Sequence, residues 1–451
     1  MKYTNFSSKE RKKVMKIEEI RNYCLNCVNK PCSNKGCPLG NDIPTFIHEE
    51  DTKKAFEAIC KTTVLPALCG KICPHTKQCQ GSCIRGIKGE SVSIGEIESY
   101  IGDKSLKEGY QIPKEIEERL TDKKVAIIGS GPAGLTCAAF LAKKGIHVKI
   151  YEKHSKLGGL LVYGIPDFRL DRKIVQDTIE KILELGIEFE TNKELGKDIS
   201  LQKLTKEYDA VCLAIGANEP NITLEGKNVL SGNKLLEEIN AQLDNKNKVP
   251  EDTNKQSNDK SKVDILENQI PDFRGKKVAV SGGGNVAMDA SRTLVRYGAD
   301  VTVIYRRAEE QMPAERKEIE EAKEEGVKFL FLNNIVSVDS KNNKIECIKT
   351  ELIQKEGETR LSPVDIEGSN YIMDMDYVIL ATGSKVDTKL IEREKIETDK
   401  YGYARVDNTH KTSREKVYAV GDLIGTKATV AFAARSGRDT AKSIIEDFLR
   451  T

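Results

Sequence analysis

Two stretches of the chain carry the same order of apolar and polar positions. From Lys123, KKVAIIGSGPAGLTCAAFLAKKGIHVKIYEK runs from an apolar stretch through a glycine turn into a helix-period segment and a second strand-like run. From Lys276, KKVAVSGGGNVAMDASRTLVRYGADVTVIYRR repeats that order. Strand, glycine turn, amphipathic helix and strand are the parts of a βαβ unit, so the pattern predicts two Rossmann-like domains of the α/β class. Further on, Val327 to Leu332, DYVILATG and VYAVGDLIG read as strands, the last two ending in glycine turns, before a C-terminal helix. Upstream of about residue 110 there is no strong strand pattern, and that segment reads as a small helical domain. Residues 244–263 are polar and rich in Asn and Lys, the composition of a surface insertion or linker.

Length and composition add limits. A chain of 451 residues is too long for one core, so two or three domains are expected. With 72 Lys and Arg against 70 Asp and Glu, the net charge of +2 gives no electrostatic reason to expect nucleic acid or an anionic membrane as partner. No run approaches the roughly 18 apolar residues of a membrane span, and the opening residues lack the apolar stretch of a signal peptide. A cytoplasmic location is expected.

The glycines supply the first chemistry. Gly129, Gly131 and Gly134 follow the apolar run VAII and open a helix, the setting that a G-x-G-x-x-G dinucleotide site requires. The first allows the tight turn, the second admits the pyrophosphate, and the third lets helix and strand pack closely, while the helix N-terminus attracts phosphate charge. Glu152 ends the second strand, where a carboxylate accepts hydrogen bonds from ribose hydroxyls. In the second copy, Gly282, Gly284 and Ala287 keep the spacing, but the same offset of about 23 positions lands on Tyr305, followed by Arg306 and Arg307. Loss of the acid beside two guanidinium groups suits a 2′-phosphate, which favours NADPH over NADH.

Cysteine is concentrated at one end. Of the 12 cysteines, positions 24, 27, 32, 37, 60, 69, 73, 79 and 83 precede residue 90. Cys24-x2-Cys27-x4-Cys32-x4-Cys37 and Cys69-x3-Cys73-Pro74-x4-Cys79-x3-Cys83 are runs of soft thiolates suited to iron-sulfur clusters or to zinc. Adjacent dinucleotide sites make electron carriers the more useful choice. His75 is read as a non-ligand, and Cys137, Cys212 and Cys347 as core residues. No C-x-x-C accompanies the first glycine turn, so a redox-active disulfide is not indicated.

Together these residues resemble the glutamate synthase small subunit family across nearly the whole chain. The match includes the cysteine runs, GSGPAGL at 129–135, GGLLVYGIPDFRL at 158–170, GGGNVAMDASR at 282–292, YRRAEEQMPA at 305–314 and VYAVGDL at 417–423. The module is also similar to the N-terminal part of dihydropyrimidine dehydrogenase and to the large subunit of NADH-dependent ferredoxin:NADP oxidoreductase. The resemblance implies a helical iron-sulfur domain at 1–115, a discontinuous FAD domain at 116–225 and 375–451, and an NADPH domain at 226–374. It implies an FAD contact from Asp422, in the ribityl or pyrophosphate region, and further cofactor contacts from Gly159, Leu160, Asn285, Val286, Gly383, Gly421 and Thr429.

It further implies two [4Fe-4S] clusters with interleaved ligands, Cys24, Cys27, Cys32 and Cys83 for one, Cys37, Cys73, Cys79 and Glu98 for the other. The Cys32 to Cys37 gap is one residue longer than the common family form, Cys69 is an extra thiol, and Cys60 has no assigned role. The implied activity is hydride transfer from NADPH to FAD, with single electrons leaving through the clusters to a partner; the protein positions the rings, and no acid or base catalyst is expected. That partner is a large glutamate synthase subunit or, in a bifurcating enzyme, a small flavoprotein. A non-catalytic iron-sulfur or zinc scaffold is the third reading.

Overall fold

The computed structural model describes residues 8–221, 223–246, 270–354 and 361–450. The polar stretch expected at 244–263 lies outside the described residues from position 247 onward. Two units make up the chain, one of Met1–Val162, Asp167–Ala217 and Val386–Thr451, the other of Tyr163–Pro166 and Asn218–Lys385.

In the first unit the N-terminal segment is helical, as its lack of strand pattern implies. Helices α1 (Ser8–Tyr23), α2 (Ile43–His48), α3 (Thr52–Ile59), α4 (Pro66–Ile72) and α5 (Ile94–Lys107) are joined by loops and single turns that carry most of the cysteines. Ile94, Ile97 and Ile101 fall on one stripe of α5 and are buried with Phe46, Phe56 and Leu68, the face that helical periodicity assigns to the core. The long Cys32 to Cys37 gap has a structural answer. Residues Cys32–Gly36 form one π-helical turn, closed by Cys37 N donating to Cys32 O at 2.8 Å. A π turn is how a helix takes up one added residue without breaking.

Next come β1 (Lys124–Ile128), α6 (Pro132–Ala142), β2 (His147–Tyr151), α7 (Leu160–Tyr163), α8 (Arg172–Leu183), β3 (Glu188–Glu190), α9 (Leu201–Glu207) and β4 (Ala210–Leu213). Near the C-terminus the chain returns to this unit with β16 (Val417–Ala419) and α14 (Val430–Arg450). The five-stranded parallel sheet is ordered β16-β4-β1-β2-β3, so residues more than 200 positions apart share it through the Val417–Val211 register. α6 is buried along almost its whole length because sheet and α14 cover it from two sides. A Cβ added at Gly437 of α14 would stand 2.1 Å from the carbonyl oxygen of Ala133. Only glycine allows these two helices so close.

Buried polar contacts join the cysteine-bearing helices to the sheet within this unit. Arg438 of α14 donates to the carbonyl of Leu39 at 2.5 Å and to that of Thr62 at 3.4 Å. Lys143, at the end of α6, donates to the carbonyl of Cys60 at 2.6 Å. The thiol of Cys60 is pushed up to about 12 by burial; it serves as a core residue. Arg438→Met leaves the Leu39 carbonyl without its charged donor, and the expected cost is about 1–3 kcal/mol, read as an earlier thermal unfolding transition of the cofactor-loaded protein.

The second unit contains β5 (Glu219–Pro220), β6 (Val229–Ser231), α10 (Gly232–Lys246), β7 (Lys277–Ser281), α11 (Asn285–Arg296), β8 (Asp300–Tyr305), α12 (Arg316–Glu324) and β9 (Lys328–Phe331). After these lie β10 (Asn333–Asp339), β11 (Lys344–Ile353), β12 (Ser362–Asp365), β13 (Tyr371–Asp374), β14 (Tyr377–Leu380) and β15 (Ser384–Lys385). Its parallel sheet is ordered β6-β14-β7-β8-β9, and an antiparallel sheet is built from β10 to β13. The helix α13 (Thr388–Arg393) follows in the first unit.

Two features differ from the sequence expectation. The unit boundaries run at 217/218 and 385/386 rather than at 225/226 and 374/375, because β14 pairs with β6 and β7 at the middle of the second sheet. Gly383, which falls in the expected 375–451 segment of the FAD domain, therefore belongs to the second unit. The antiparallel sheet is the second difference, since in that region only Val327 to Leu332 carries a strand pattern.

Candidate dinucleotide and iron-sulfur sites

The turn after β1 shows why each glycine of the first G-x-G-x-x-G is needed. Gly129 has φ +99°, and a Cβ there would lie 2.4 Å from the Ala214 carbonyl oxygen. Gly134 is closed by packing, its added Cβ falling 2.1 Å from the Gly129 oxygen. Gly131 is the opposite case. It caps the N-terminus of α6, and an added Cβ meets no atom within 4 Å. Open space at the positive end of a helix is a fitting cradle for a pyrophosphate.

Of the remaining first-unit residues, Gly159 and Gly421 pack against this turn and the start of α6. An added Cβ on Gly159 would lie 2.9 Å from Gly131 Cα, so the GGL loop rests against the glycine turn; Leu160 beside it is exposed. Gly421 reaches the start of α6, where its added Cβ would be 3.0 Å from Ala133 Cβ, and its N–H donates to the Ser436 hydroxyl at 2.8 Å. Asp422 accepts from the Thr426 hydroxyl at 2.8 Å, and burial holds its carboxyl above the usual range. Thr429 precedes α14 and its hydroxyl accepts from the Phe432 N–H at 3.4 Å.

Glu152 is buried at the end of β2. One carboxylate oxygen accepts from the N–H and hydroxyl of Ser130, the other from the N–H of His154 at 2.9 Å. The Ser130 hydroxyl also accepts from Gly158 N–H at 2.9 Å, so Ser130 links glutamate, glycine turn and GGL loop. Sequence reasoning overlooked Ser130, Gly437 and Arg438. A glycine inside the otherwise amphipathic C-terminal helix was the available signal for Gly437.

In the second unit Gly282 has φ +137°, with an added Cβ 2.4 Å from the Ala381 oxygen. Gly284 caps α11, and its added Cβ meets only Pro313 Cγ, at 3.9 Å. Here too the cradle is open. Asn285 begins the helix and accepts from Glu315 N–H at 3.3 Å, while Val286 follows it. Gly383, with φ +104° and room around an added Cβ, lies just beyond β14.

Tyr305 occupies the position of the missing acid, but its ring packs beneath the turn. An added Cβ on Gly283 would lie 2.6 Å from the ring, and the Tyr305 hydroxyl donates to the Gln311 carbonyl at 2.9 Å. Arg306 and Arg307 differ. Arg307 is half-buried and donates to the Leu361 carbonyl at 3.3 Å, whereas Arg306 is exposed. Of the two guanidinium groups, that of Arg306 is the one open to solvent.

The expected cluster ligands fall into two groups. Cys24, Cys27, Cys32 and Cys83 line one pocket together with Leu25, Pro31, Ile84 and Arg85. Burial raises the thiols of Cys24 and Cys32, and the negative charge of Cys83 adds to both. Cys37, Cys73, Cys79 and Glu98 form the other group. Burial pushes Cys37 up to about 12, and the Glu98 charge adds to it; Cys79 is raised by the same two causes. Cys73 is raised by a hydrogen bond with Cys69, by burial and by Glu98. The extra thiol, Cys69, thus sits directly beside a ligand of this group.

Glu98 itself is buried on α5, its carboxyl raised to about 8 by burial against a hydrogen bond from Asn41 at 3.1 Å. A carboxyl buried among thiols is one that nearby positive charge, such as that of iron, would hold in its ionised, ligating form. Among the described residues no group of three or more His, Cys, Asp or Glu side chains gathers tightly enough for one metal ion. A cubane spreads its ligands around four irons, and the two groups suit it.

Comparison with known proteins agrees with this chemistry. The pyridine nucleotide-disulphide oxidoreductase family model matches residues 123–437. That of dihydropyrimidine dehydrogenase domain II, 4Fe-4S cluster, matches residues 2–110. The NADPH glutamate synthase small chain of Escherichia coli K12 is 34% identical, covering 94% of this chain and 89% of that protein. The β subunit of the NADP+-dependent formate dehydrogenase of Moorella thermoacetica is 32% identical over 94% of this chain and 60% of its own. FprA of Mycobacterium tuberculosis in complex with NADPH shares the fold, with a TM-score of 0.60 at 19% identity over 73% of this chain and 85% of that one. No helix among the described residues is long and apolar enough to cross a membrane. With its FAD- and NADPH-binding folds and its 4Fe-4S domain, the chain belongs to the pyridine nucleotide-disulphide oxidoreductase family, among the relatives of the glutamate synthase small chain.

Proposed function

We propose that this NADPH-dependent iron-sulfur flavoprotein is the electron-input subunit of a glutamate synthase-type enzyme. It passes electrons through FAD and two [4Fe-4S] clusters to a separate large subunit. The observation that carries the reading is the end-to-end correspondence with glutamate synthase small chains, over 94% of this chain and 89% of the Escherichia coli protein. Bound in the first unit, FAD would supply the chemistry that links two-electron hydride transfer from NADPH to one-electron transfer.

The chain's own part is binding and placement. The helix N-termini at Gly131 and Gly284 take the two pyrophosphates, Glu152 accepts from the FAD ribose, and Arg306 pairs with the NADPH 2′-phosphate. Asp422 is held at the start of α6 by the Gly421 turn, on the FAD side. Cys37, Cys73, Cys79 and Glu98 hold one cluster, and Cys24, Cys27, Cys32 and Cys83 the other. In the first unit, Arg438 joins α14, a wall of the flavin cradle, to the backbone two residues after Cys37.

Arg306→Ala removes a charged partner worth about 1.5–3 kcal/mol. KM for NADPH is expected to rise roughly ten- to hundredfold while KM for NADH stays unchanged; equal effects on the two nucleotides would remove Arg306 from the phosphate site. Anaerobic purification from the native host tests the assignment of partner. A large glutamine-using chain that co-purifies supports it, and a small NADH-binding flavoprotein in its place points to the bifurcating enzyme.

A further inference from the structure

The loops that carry the first thiol group also carry an unusual surface. Leu25 and Val28 flank Cys27, and Ile84 and Ile87 follow Cys83. Val28 is 94% exposed, Ile87 76%, Leu25 49% and Ile84 43%. The two loops are tied together. Arg85 donates from Nε to the Tyr23 carbonyl at 2.9 Å and lies over the Tyr23 ring at 4.4 Å, while the Tyr23 hydroxyl donates to the Glu90 carbonyl at 2.9 Å. Leu25 and Ile84 line the same pocket as Cys24, Cys27, Cys32 and Cys83. Scattered surface hydrophobics need no explanation, but apolar side chains gathered on tied loops mark an interaction surface.

Charge specifies what fits there. From Arg21 to Cys37 the sequence holds Arg21, Lys30 and Lys35 and no acid, and the second loop adds Arg85 and Lys88 against Glu90. Lys30 is paired with Asp42 at 2.8 Å, Arg21 donates to the Ile47 and Glu49 carbonyls, and Arg85 is taken up by Tyr23, which leaves the exposed Lys35 and Lys88 as the outward basic pair. The second thiol group offers no such surface, since Glu98 and Cys79 are buried and the backbone after Cys37 is covered by Arg438.

We infer that the tied loops around Cys24, Cys27 and Cys83 are the docking surface for a separate redox protein that presents an apolar centre rimmed by carboxylates. The cluster held by Cys24, Cys27, Cys32 and Cys83 is then the point of exit. This rests on the relay reading above. Each NADPH, oxidised to NADP+ with release of one proton, supplies two electrons, and they leave one at a time to the docked redox protein. An apolar centre gives contact, and opposed charges give orientation and encounter rate.

The test uses anaerobically purified holoenzyme and an acidic plant-type [2Fe-2S] ferredoxin as probe, its reduction by NADPH followed through cytochrome c. Ferricyanide reduction is measured in parallel. Val28→Glu, Ile87→Glu and Lys88→Glu are each expected to raise KM for ferredoxin about tenfold, the equivalent of about 1.4 kcal/mol, with ferricyanide rate, iron and flavin contents as in the parent. Unchanged ferredoxin kinetics in all three variants would overturn the surface. So would a parent protein that reduces ferricyanide but not ferredoxin, or a parent dimer that Val28→Glu dissociates, since the face would then serve a second copy of the chain. A parent that reduces neither acceptor would instead remove the relay reading, and this surface with it.

Discussion

Gly134→Val is expected to yield a folded protein that no longer retains flavin. The added Cβ alone would stand 2.1 Å from the Gly129 carbonyl oxygen and 3.1 Å from Ala214 Cβ, and the first of these is backbone that cannot swing aside. To accept the side chain, α6 must draw back from the turn after β1, which moves the helix N-terminus at Gly131 away from the pyrophosphate. Overpacking of this kind costs about 1–3 kcal/mol, so FAD affinity should fall on the order of ten- to hundredfold, and the protein should emerge from a desalting column with its flavin absorbance lost. Gly284→Val supplies the contrast. It fills the second cradle, so flavin stays bound and is bleached by dithionite, but NADPH no longer bleaches it. Flavin loss in both variants, or in neither, would contradict the assignment of one nucleotide to each unit.

The second large effect is expected at the enclosed thiol group. Cys73→Ala should lower bound iron from about eight to about four atoms per flavin, leaving a protein whose flavin NADPH still reduces but which no longer passes electrons to a protein acceptor. Two neighbours sharpen this. Glu98→Ala is expected to retain iron at that site while changing the spectrum of the reduced cluster, because one ligand changes from carboxylate to solvent or to a nearby group. Cys69→Ser, beside Cys73 but outside the ligand set, is expected to leave both iron content and spectrum as they were. If Cys69→Ser alters the spectrum and Glu98→Ala does not, Cys69 is the fourth ligand.

Much of this site was legible in the sequence because the signals are local. The turn residues Gly129, Gly131 and Gly134 and the helix that follows lie within a few positions of one another, and the backbone geometry each supports depends on little else. Tyr305 at the place of Glu152 could be found by counting. The grouping of thiols came from family resemblance, since alternation between two sites leaves no trace in spacing alone. What escaped depends on contacts between distant segments. Tyr377–Leu380 has the same apolar character whether it pairs with β7 or with β1, so its sheet, and with it the place of Gly383, could not be read from the strand itself. Ser130, Arg438 and Gly437 act through partners that are 22 to several hundred positions away. The antiparallel strands β10 to β13 are half-exposed and polar on one face, which weakens the periodic signal.

The central claim is that one chain holds FAD and two iron-sulfur clusters and loads both from NADPH. It is tested most directly by anaerobic NADPH titration of the purified protein, with metal and flavin contents determined and paramagnetic resonance recorded at each step. The account expects about eight iron atoms and one FAD per chain, bleaching of the flavin by NADPH, and a signal from reduced [4Fe-4S] clusters that Cys73→Ala diminishes. A preparation holding zinc in place of iron, or a flavin that NADPH reduces while no cluster ever takes an electron, would contradict it.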